Sequence, residues 1–267
     1  GKPGGNVHYA SYDQLAYAGE YTRLKLPPKI TGVSEQHKTN DRRIGTGRFE
    51  ELKNLEPPLE FMWIAGRNPV AQDPNSNEVR EVLKKIPMVV VADQFLTSSA
   101  QMADYFLPVA TPFEFEDVII SFWHYGAAMN EQAIPPLGEC KSDFEIMKQL
   151  ATTLERLKPG FTSFPIERGA EEWLDRELRT HLYELLGITH YRELRDRYAR
   201  VNLPPVPWQD HQFPTPSGKY EFLSLQAGDY GVSALPIPAA TPPISQAYPF
   251  RFLTVRSYGA LNSQFSS

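Results

Sequence analysis

Two apolar stretches decide the fold, Leu59-Glu60-Phe61-Met62-Trp63-Ile64-Ala65 and Met88-Val89-Val90-Val91-Ala92. Both are short runs of aromatic, β-branched and aliphatic residues, as in strands buried on both faces. Between them, Gly66-Arg67-Asn68-Pro69 reads as a turn. Asn75 or Ser76 then caps a helix whose Val79, Val82, Leu83 and Ile86 recur at helical spacing, and Pro87 stops it. Strand, helix and strand within about 35 residues make a βαβ unit, with parallel strands and a right-handed crossover. The expected fold class is α/β with a parallel sheet.

Working outward, Ser98 to Tyr105 is expected as a second short helix and Phe106-Leu107-Pro108-Val109 as a further strand. Ser142-Asp143-Phe144-Glu145 has capping-box spacing and opens a helix with Ile146, Met147, Leu150, Leu154 and Leu157 on one face. Two helical patterns follow, Trp173, Leu174, Leu178, Leu182, Leu185 and then Tyr191, Leu194, Tyr198. The stretch from Leu203 to Pro249 is punctuated by proline, with a strand expected at Lys219 to Ser224. Phe250-Arg251-Phe252-Leu253-Thr254-Val255 reads as a last strand. The expected division is an irregular segment at 1–55, an α/β region at 56–160, a helical extension at 161–203, a proline-rich connection at 204–249 and the start of a further domain at 250–267. The chain opens Gly1-Lys2-Pro3 without an initiating Met and closes just after a strand-like run, so it is read as a segment of a larger polypeptide.

Composition narrows the function classes. Of 267 residues, 41% are hydrophobic and 22% charged, as in an ordinary globular chain. Proline, at 24 residues, is about 9% against a usual value of about 5%. A net charge of −5 argues against a dominant nucleic-acid or anionic-membrane surface. No apolar run is long enough to span a bilayer. The single cysteine, Cys140, excludes an internal disulfide and a four-cysteine metal site built by this chain alone.

In an open parallel sheet, ligands bind where the loops diverge at the carboxyl ends of the strands. The first strand delivers Gly66 and Asn68 to that edge and the second delivers Ala92 and Asp93. The glycine permits close backbone approach. An aspartate accepts from ribose hydroxyls or from the N1–H and N2–H₂ edge of guanine, and an asparagine both donates and accepts. A turn role for Asn68 and a loop role for Asp93 stay open. This is not a G-x-G-x-x-G fingerprint, so a nicotinamide cofactor is not indicated. Asp143 reads first as part of a helix-capping signal. Glu114, Glu116 and Asp117 alternate with Phe113 and Phe115 and are expected on a solvated strand face. His124 is expected as a core or interface residue, while His181 and His190 lack a partner at metal-ligand spacing. Cys140 is expected to be a buried, inert thiol. Serine-hydrolase, zinc-protease and P-loop signatures are missing.

The residues carry more in series. Gly66-Arg67-Asn68-Pro69, Val89 to Thr97, Ala103-Asp104-Tyr105-Phe106-Leu107-Pro108, Glu114, Gly138 to Phe144 and Phe213-Pro214-Thr215-Pro216-Ser217-Gly218-Lys219-Tyr220-Glu221 together resemble the molybdopterin oxidoreductase family, the superfamily of dimethyl-sulfoxide reductase, formate dehydrogenase and nitrate reductase. Thr254-Val255-Arg256 with Asn262-Ser263-Gln264-Phe265 resembles the opening of that family's C-terminal dinucleotide-binding β-barrel. Phe115-Glu116-Asp117 and Phe144 depart from the commonest family residues. The resemblance implies a molybdenum or tungsten atom held between two molybdopterin guanine dinucleotides and two-electron chemistry. It implies that Asn68, Ala92, Asp93 and Asp143 line the guanosine end of one dinucleotide, and Gly66, the glycine at the first strand's end, is nominated as cofactor-binding beside them. Thr254, Arg256 and Ser263 would contact the cofactor from the barrel. It places the metal ligand and any 4Fe-4S cysteines upstream of this chain, so no catalytic or metal-ligating residue is nominated here. The expected partners are the rest of the polypeptide and an electron-transfer subunit, without nucleic acid or membrane insertion. The compartment stays open, with a cytoplasmic one favoured over export. The segment alone is expected to be catalytically silent. A molybdenum-free structural relative in a respiratory complex and an unrelated nucleotide-binding α/β module stand as alternatives.

Overall fold

The computed structural model describes residues 48–120, 126–179, 182–200 and 209–251, apart from positions 214, 232, 236, 239, 242 and 248. The chain divides into two compact units. One holds Phe61–Gly66 and the described residues between Met88 and Gln209. The other holds the described residues of 30–60, Arg67–Pro87 and those from Asp210 onward.

The first unit contains the expected parallel sheet, β1 (Phe61–Ala65), β2 (Met88–Asp93) and β3 (Tyr105–Pro108), in the order β1-β2-β3. Phe61 pairs with Met88 and Ala65 with Ala92, while Val90 pairs with Tyr105 and Asp93 with Pro108. Val89 to Ala92 of β2 are buried as expected, whereas in β1 only Ile64 is buried and Phe61 and Ala65 are exposed. Asp104 extends the ladder, its Oδ2 accepting from the Val89 N–H at 2.7 Å and its own N–H donating to the Val89 carbonyl at 2.9 Å. The helix expected at Ser98 to Tyr105 is replaced by a single 3-10 turn, Ala100–Met102. Asp104 and Tyr105 are drawn instead into extended pairing with β2, where tertiary partners outweigh a weak local propensity.

A second sheet in this unit was not expected. β4 (Asp117–Ile120), β5 (Gly126–Asn130) and β6 (Ala199–Arg200) pair antiparallel in that order. Around it collects a core of Leu178, Tyr183, Leu186, Ile188, Tyr191 and Leu194 with Ala127 and Ala199. Leu178 comes from α4 (Ala170–Arg179), Tyr183 and Leu186 from α5 (Leu182–Leu186), Tyr191 and Leu194 from the 3-10 turn Tyr191–Leu194, Ile188 from the segment between, and the two alanines from β5 and β6. Tyr191 and Leu194 are almost wholly buried. Burial at about 1.5–3 kcal/mol per large side chain outweighs about 1 kcal/mol per neutral hydrogen bond, so packing dominates here. The helix expected through Tyr198 stops at the turn, and Tyr198 is 55% exposed.

Helix α3 (Asp143–Leu157) begins where its capping sequence says, with Ser142 Oγ accepting from the Glu145 N–H at 3.3 Å. Its inner face differs from the expected one. Ala151 is buried and Phe144, Met147 and Leu154 are half-buried, whereas Leu150 and Leu157 are exposed. At 100° per residue, 144, 147, 151 and 154 form one stripe and 150 and 157 fall on its flank. Phe144 anchors the stripe, its ring 5.5 Å from that of Trp173, which stacks on Phe164 at 5.0 Å.

The second unit holds α1 (Pro69–Gln72), α2 (Ser76–Leu83) and the 3-10 turns Phe49–Asn54 and Leu225–Tyr230. Asn75 caps α2, its Oδ1 accepting from the Glu78 N–H. Val79, Val82 and Leu83 are buried as their spacing predicts. Lys53 pairs with Glu78, joining the first turn to α2. The strand expected at Lys219 to Ser224 is not formed. The Thr215 hydroxyl donates to the Lys219 carbonyl, and Glu221 accepts from the Ser217 N–H at 2.9 Å. These side-chain bonds close a turn and compete with extended pairing.

Candidate functional site

The first unit brings three of the nominated residues to the carboxyl edge of the parallel sheet. Gly66 follows directly on Ala65, the partner of Ala92, and has φ +63°, the left-handed region that favours glycine. A Cβ built there meets nothing within 4 Å, so the backbone angle, not crowding, calls for glycine. Ala92 is buried within β2, paired with Ala65 on one side and Leu107 on the other. Asp93 ends β2 half-buried. Its Oδ1 accepts from the Gln94 N–H at 2.7 Å, and the Thr97 hydroxyl stands 3.5 Å from Oδ2.

Asp143 reaches the same edge by another route. The Val109 N–H donates to the Asp93 carbonyl at 3.1 Å, carrying the ladder beyond β3. Lys141 runs parallel beside Val109. Its carbonyl accepts from the Ala110 N–H at 2.9 Å and its N–H donates to the Pro108 carbonyl at 3.3 Å. Two residues later Asp143 opens α3, exposed to solvent. A cleft of about 760 Å³ opens here, lined among others by Asp143, Phe144, Trp173, Glu116, Asp117 and Cys140.

Asn68 lies in the second unit, 6% exposed, as the N-cap of α1. Its N–H donates to Gln72 Oε1 at 2.9 Å and its carbonyl accepts from the Ala71 and Gln72 N–H groups. Beside it in sequence, Arg67 pairs with Asp73. Thr254, Arg256 and Ser263, together with His124 and His181, lie outside the described residues.

Expectations for the neighbouring acids and for Cys140 are corrected. Glu114 is not on a solvated strand face but is 3% exposed in the 3-10 turn Pro112–Glu114. Its Oε2 accepts from the Thr111 N–H at 2.6 Å and hydroxyl at 2.8 Å, and its Oε1 from the Leu137 N–H at 2.7 Å. The Thr111 and Leu137 amides hold its carboxyl below the usual carboxylate range. A signal for this existed in Thr111-Pro112-Phe113-Glu114, which has capping-box spacing with proline at the first position. Burial raises the Asp117 carboxyl, against a smaller lowering by the Val118 amide. Cys140 is half-buried on the cleft wall, not sealed in the core. His190 Nε2 lies 3.7 Å from Asp175 Oδ1. Among the described residues, no three His, Cys, Asp or Glu side chains are grouped to hold a metal ion, and no helix is long and apolar enough to cross a membrane.

Comparison with known proteins agrees with this fold. The sequence profile of the family described as Molybdopterin oxidoreductase matches residues 12–153, more than half of the chain. The chain is 31% identical over 274 residues to the probable oxidoreductase YyaE of Bacillus subtilis, covering 99% of the chain and 38% of that protein. It is 33% identical over 171 residues to trimethylamine-N-oxide reductase 1 of Escherichia coli, covering 62% of the chain and 18% of the reductase. The solved structure of acetylene hydratase from Pelobacter acetylenicus superposes with a TM-score of 0.51 at 21% identity, covering 74% of the chain and 26% of the hydratase; it speaks to the fold alone. The chain belongs to the molybdopterin oxidoreductase family. It spans less than two-fifths of the length of these relatives.

Proposed function

We propose that this chain supplies part of the surface that binds the guanosine end of a molybdopterin guanine dinucleotide in a two-electron oxidoreductase. The observation that carries this reading is the placement of two carboxylates, Asp93 and Asp143, at one carboxyl edge of a parallel sheet. Ionised carboxylates only accept hydrogen bonds, and guanine N1–H and N2–H₂ and the ribose hydroxyls can each donate to them. The left-handed turn at Gly66 adds open space at the end of β1. These residues fit the group. Ala92, buried within the sheet, enters through the family resemblance alone, as do Asn68, Thr254, Arg256 and Ser263.

When bound, the cofactor supplies redox chemistry at molybdenum or tungsten. The chain's own part is to hold and orient the nucleotide end. No residue here is assigned as metal ligand or acid–base group, and the chain by itself is proposed to be without turnover. The metal ligand, any 4Fe-4S centre and an electron-transfer partner are proposed to come from other polypeptide.

The test is to purify the native protein and measure molybdenum, tungsten and the GMP released by acid hydrolysis. Wild type is expected to yield metal and GMP, and Asp93→Ala and Asp143→Asn to be depleted in GMP at unchanged folding. A metal-free, GMP-free native protein would overturn the reading in favour of a structural relative.

A further inference from the structure

The turn that holds Glu114 organises the approach to Asp143. Four backbone or side-chain groups of the loop 130–137 bond to this one turn. Asn130 Nδ2 donates to the Pro112 carbonyl at 2.6 Å and the Phe115 carbonyl at 2.9 Å. The Ala133 and Ile134 N–H groups donate to the Phe113 carbonyl at 2.8 and 3.0 Å. The Leu137 N–H donates to Glu114 Oε1 at 2.7 Å. Glu114 Oε2 holds the other side of the junction through Thr111, the residue after Ala110, which pairs with Lys141. The buried carboxylate therefore spans the gap between two segments at the point where they enter the Val109–Lys141 pairing. Asp143 lies six residues beyond Leu137 and two beyond Lys141, and the Cys140 N–H bonds back to the Leu137 carbonyl at 3.1 Å.

We propose that Glu114 is a positioning residue for the nucleotide site: by tying Thr111 to Leu137 it sets where Asp143 stands at the sheet edge, without itself touching the nucleotide. This rests on the reading of Asp143 given above. The chemistry of the clasp requires a carboxylate. All three groups facing Glu114 are used as donors, and a glutamine would turn an N–H₂ toward at least one of them. A buried donor left facing a donor cannot be satisfied, and the loop must shift to relieve it.

The test uses the native protein in four forms: wild type, Glu114→Gln, Asp143→Asn and the double variant. GMP content after dialysis and melting temperature are measured for each. Tyr183→Phe, which removes two buried hydrogen bonds elsewhere in the unit, one to Asp175 and one from the Tyr191 N–H, controls for loss of stability alone. Glu114→Gln is expected to lower GMP retention about tenfold, with the double variant no lower than Asp143→Asn alone, the signature of two residues acting through one contact. Tyr183→Phe is expected to keep its GMP. Where Glu114→Gln does not fold, Thr111→Val removes one hydroxyl donor and is expected to give a smaller loss with the same non-additivity. Wild-type retention in the Glu114 or Thr111 variant, or losses that multiply in the double variant, would overturn the inference while leaving the reading of Asp143 intact. Full retention in Asp143→Asn would instead remove the reading and the inference together.

Discussion

The Tyr191 hydroxyl donates to Glu116 Oε1 at 2.6 Å, across 75 residues of chain. Tyr191 has no exposed surface, while Glu116 lies on the wall of the cleft beside Asp143. Burial pushes the Tyr191 hydroxyl up, so it stays protonated and donates at neutral pH. Arg192 adds its guanidinium, 3.7 Å from Glu116 and 3.0 Å from Glu171. The Tyr191–Leu194 turn is thus tied to the cleft wall at Glu116 by the Tyr191 hydrogen bond and the Arg192 ion pair.

Tyr191→Phe keeps the ring and removes that bond. A hydrogen bond to a charged group contributes about 1.5–3 kcal/mol, and Glu116 keeps Arg192 and some solvent, so the expected loss is near the lower end. Tyr191→Ala also opens a cavity and is expected to cost about 3–5 kcal/mol. Chemical denaturation of both variants measures the difference, and equal losses would assign the stability of this region to the hydroxyl.

Arg67 partners Oδ1 of the Asp73 carboxylate, whose side chain is 4% exposed and whose Oδ2 has no hydrogen-bond partner. Arg67→Ala is expected to destabilise by about 3–5 kcal/mol because it leaves a buried charge unpaired. Adding Asp73→Asn to that variant should restore most of the loss. Urea midpoints of the single and double variants decide it, and no recovery would mean that the arginine acts by packing its stem.

Gly126 pairs with Arg200, and a Cβ built on it would lie 1.9 Å from Cε2 of the Tyr198 ring. The ring is 55% exposed and can swing outward, so Gly126→Ala is expected to cost only about 1 kcal/mol. In a Tyr198→Ala background the same substitution should cost nothing. A cost that persists there would show that the backbone at 126, not the ring, resists the side chain.

Acid is expected to weaken the protein through a group of hydrogen-bonded carboxylates. Glu114 is lowered by the Thr111 and Leu137 amides, Glu155 by Gly160 and Thr162, Glu193 by the Thr189 hydroxyl and amide, and Glu221 by the Ser217 hydroxyl and amide. A carboxyl lowered on folding contributes stability above its unfolded value, here 4.5, and loses it as pH falls through the folded value. Asp117 has the opposite sign. Burial raises it above its ordinary 3.8, so its charge opposes folding at neutral pH and its protonation relieves this in acid. Asp117→Asn is therefore expected to raise the melting temperature at pH 7, with the gain vanishing toward pH 4. A gain that is constant with pH would show that the amide stabilises by contacts and not by removing charge.

How far the fold was legible followed from how local its causes are. Strands β1 and β2 were recognisable because each is a continuous apolar run, and α2 and α3 because a capping residue precedes a periodic stripe. The antiparallel sheet was not, for two reasons visible in its residues. Gly126-Ala127-Ala128-Met129-Asn130 has little β propensity, and β6 is only two residues long, drawn into pairing about 70 residues away. The strand expected at Lys219 to Ser224 failed because Thr215 and Ser217 bond locally. Asp93 could be placed at a strand end from sequence alone. Glu114 was misassigned because alternation with phenylalanines looks the same whether the strand forms or a capped turn takes its place.

By itself the sequence determined the class of the protein, a parallel α/β sheet with its motifs in family order, because apolar period, caps and turn residues act over a few residues at a time. Only the tertiary structure decided that Asp143 stands at the same sheet edge as Asp93. There Lys141, two residues before Asp143, pairs beside Val109, and a buried carboxylate joins Thr111 to Leu137. Such contacts link segments whose individual patterns carry no record of their partners. They arise because buried donors and acceptors must be satisfied by whatever the folded chain brings within reach.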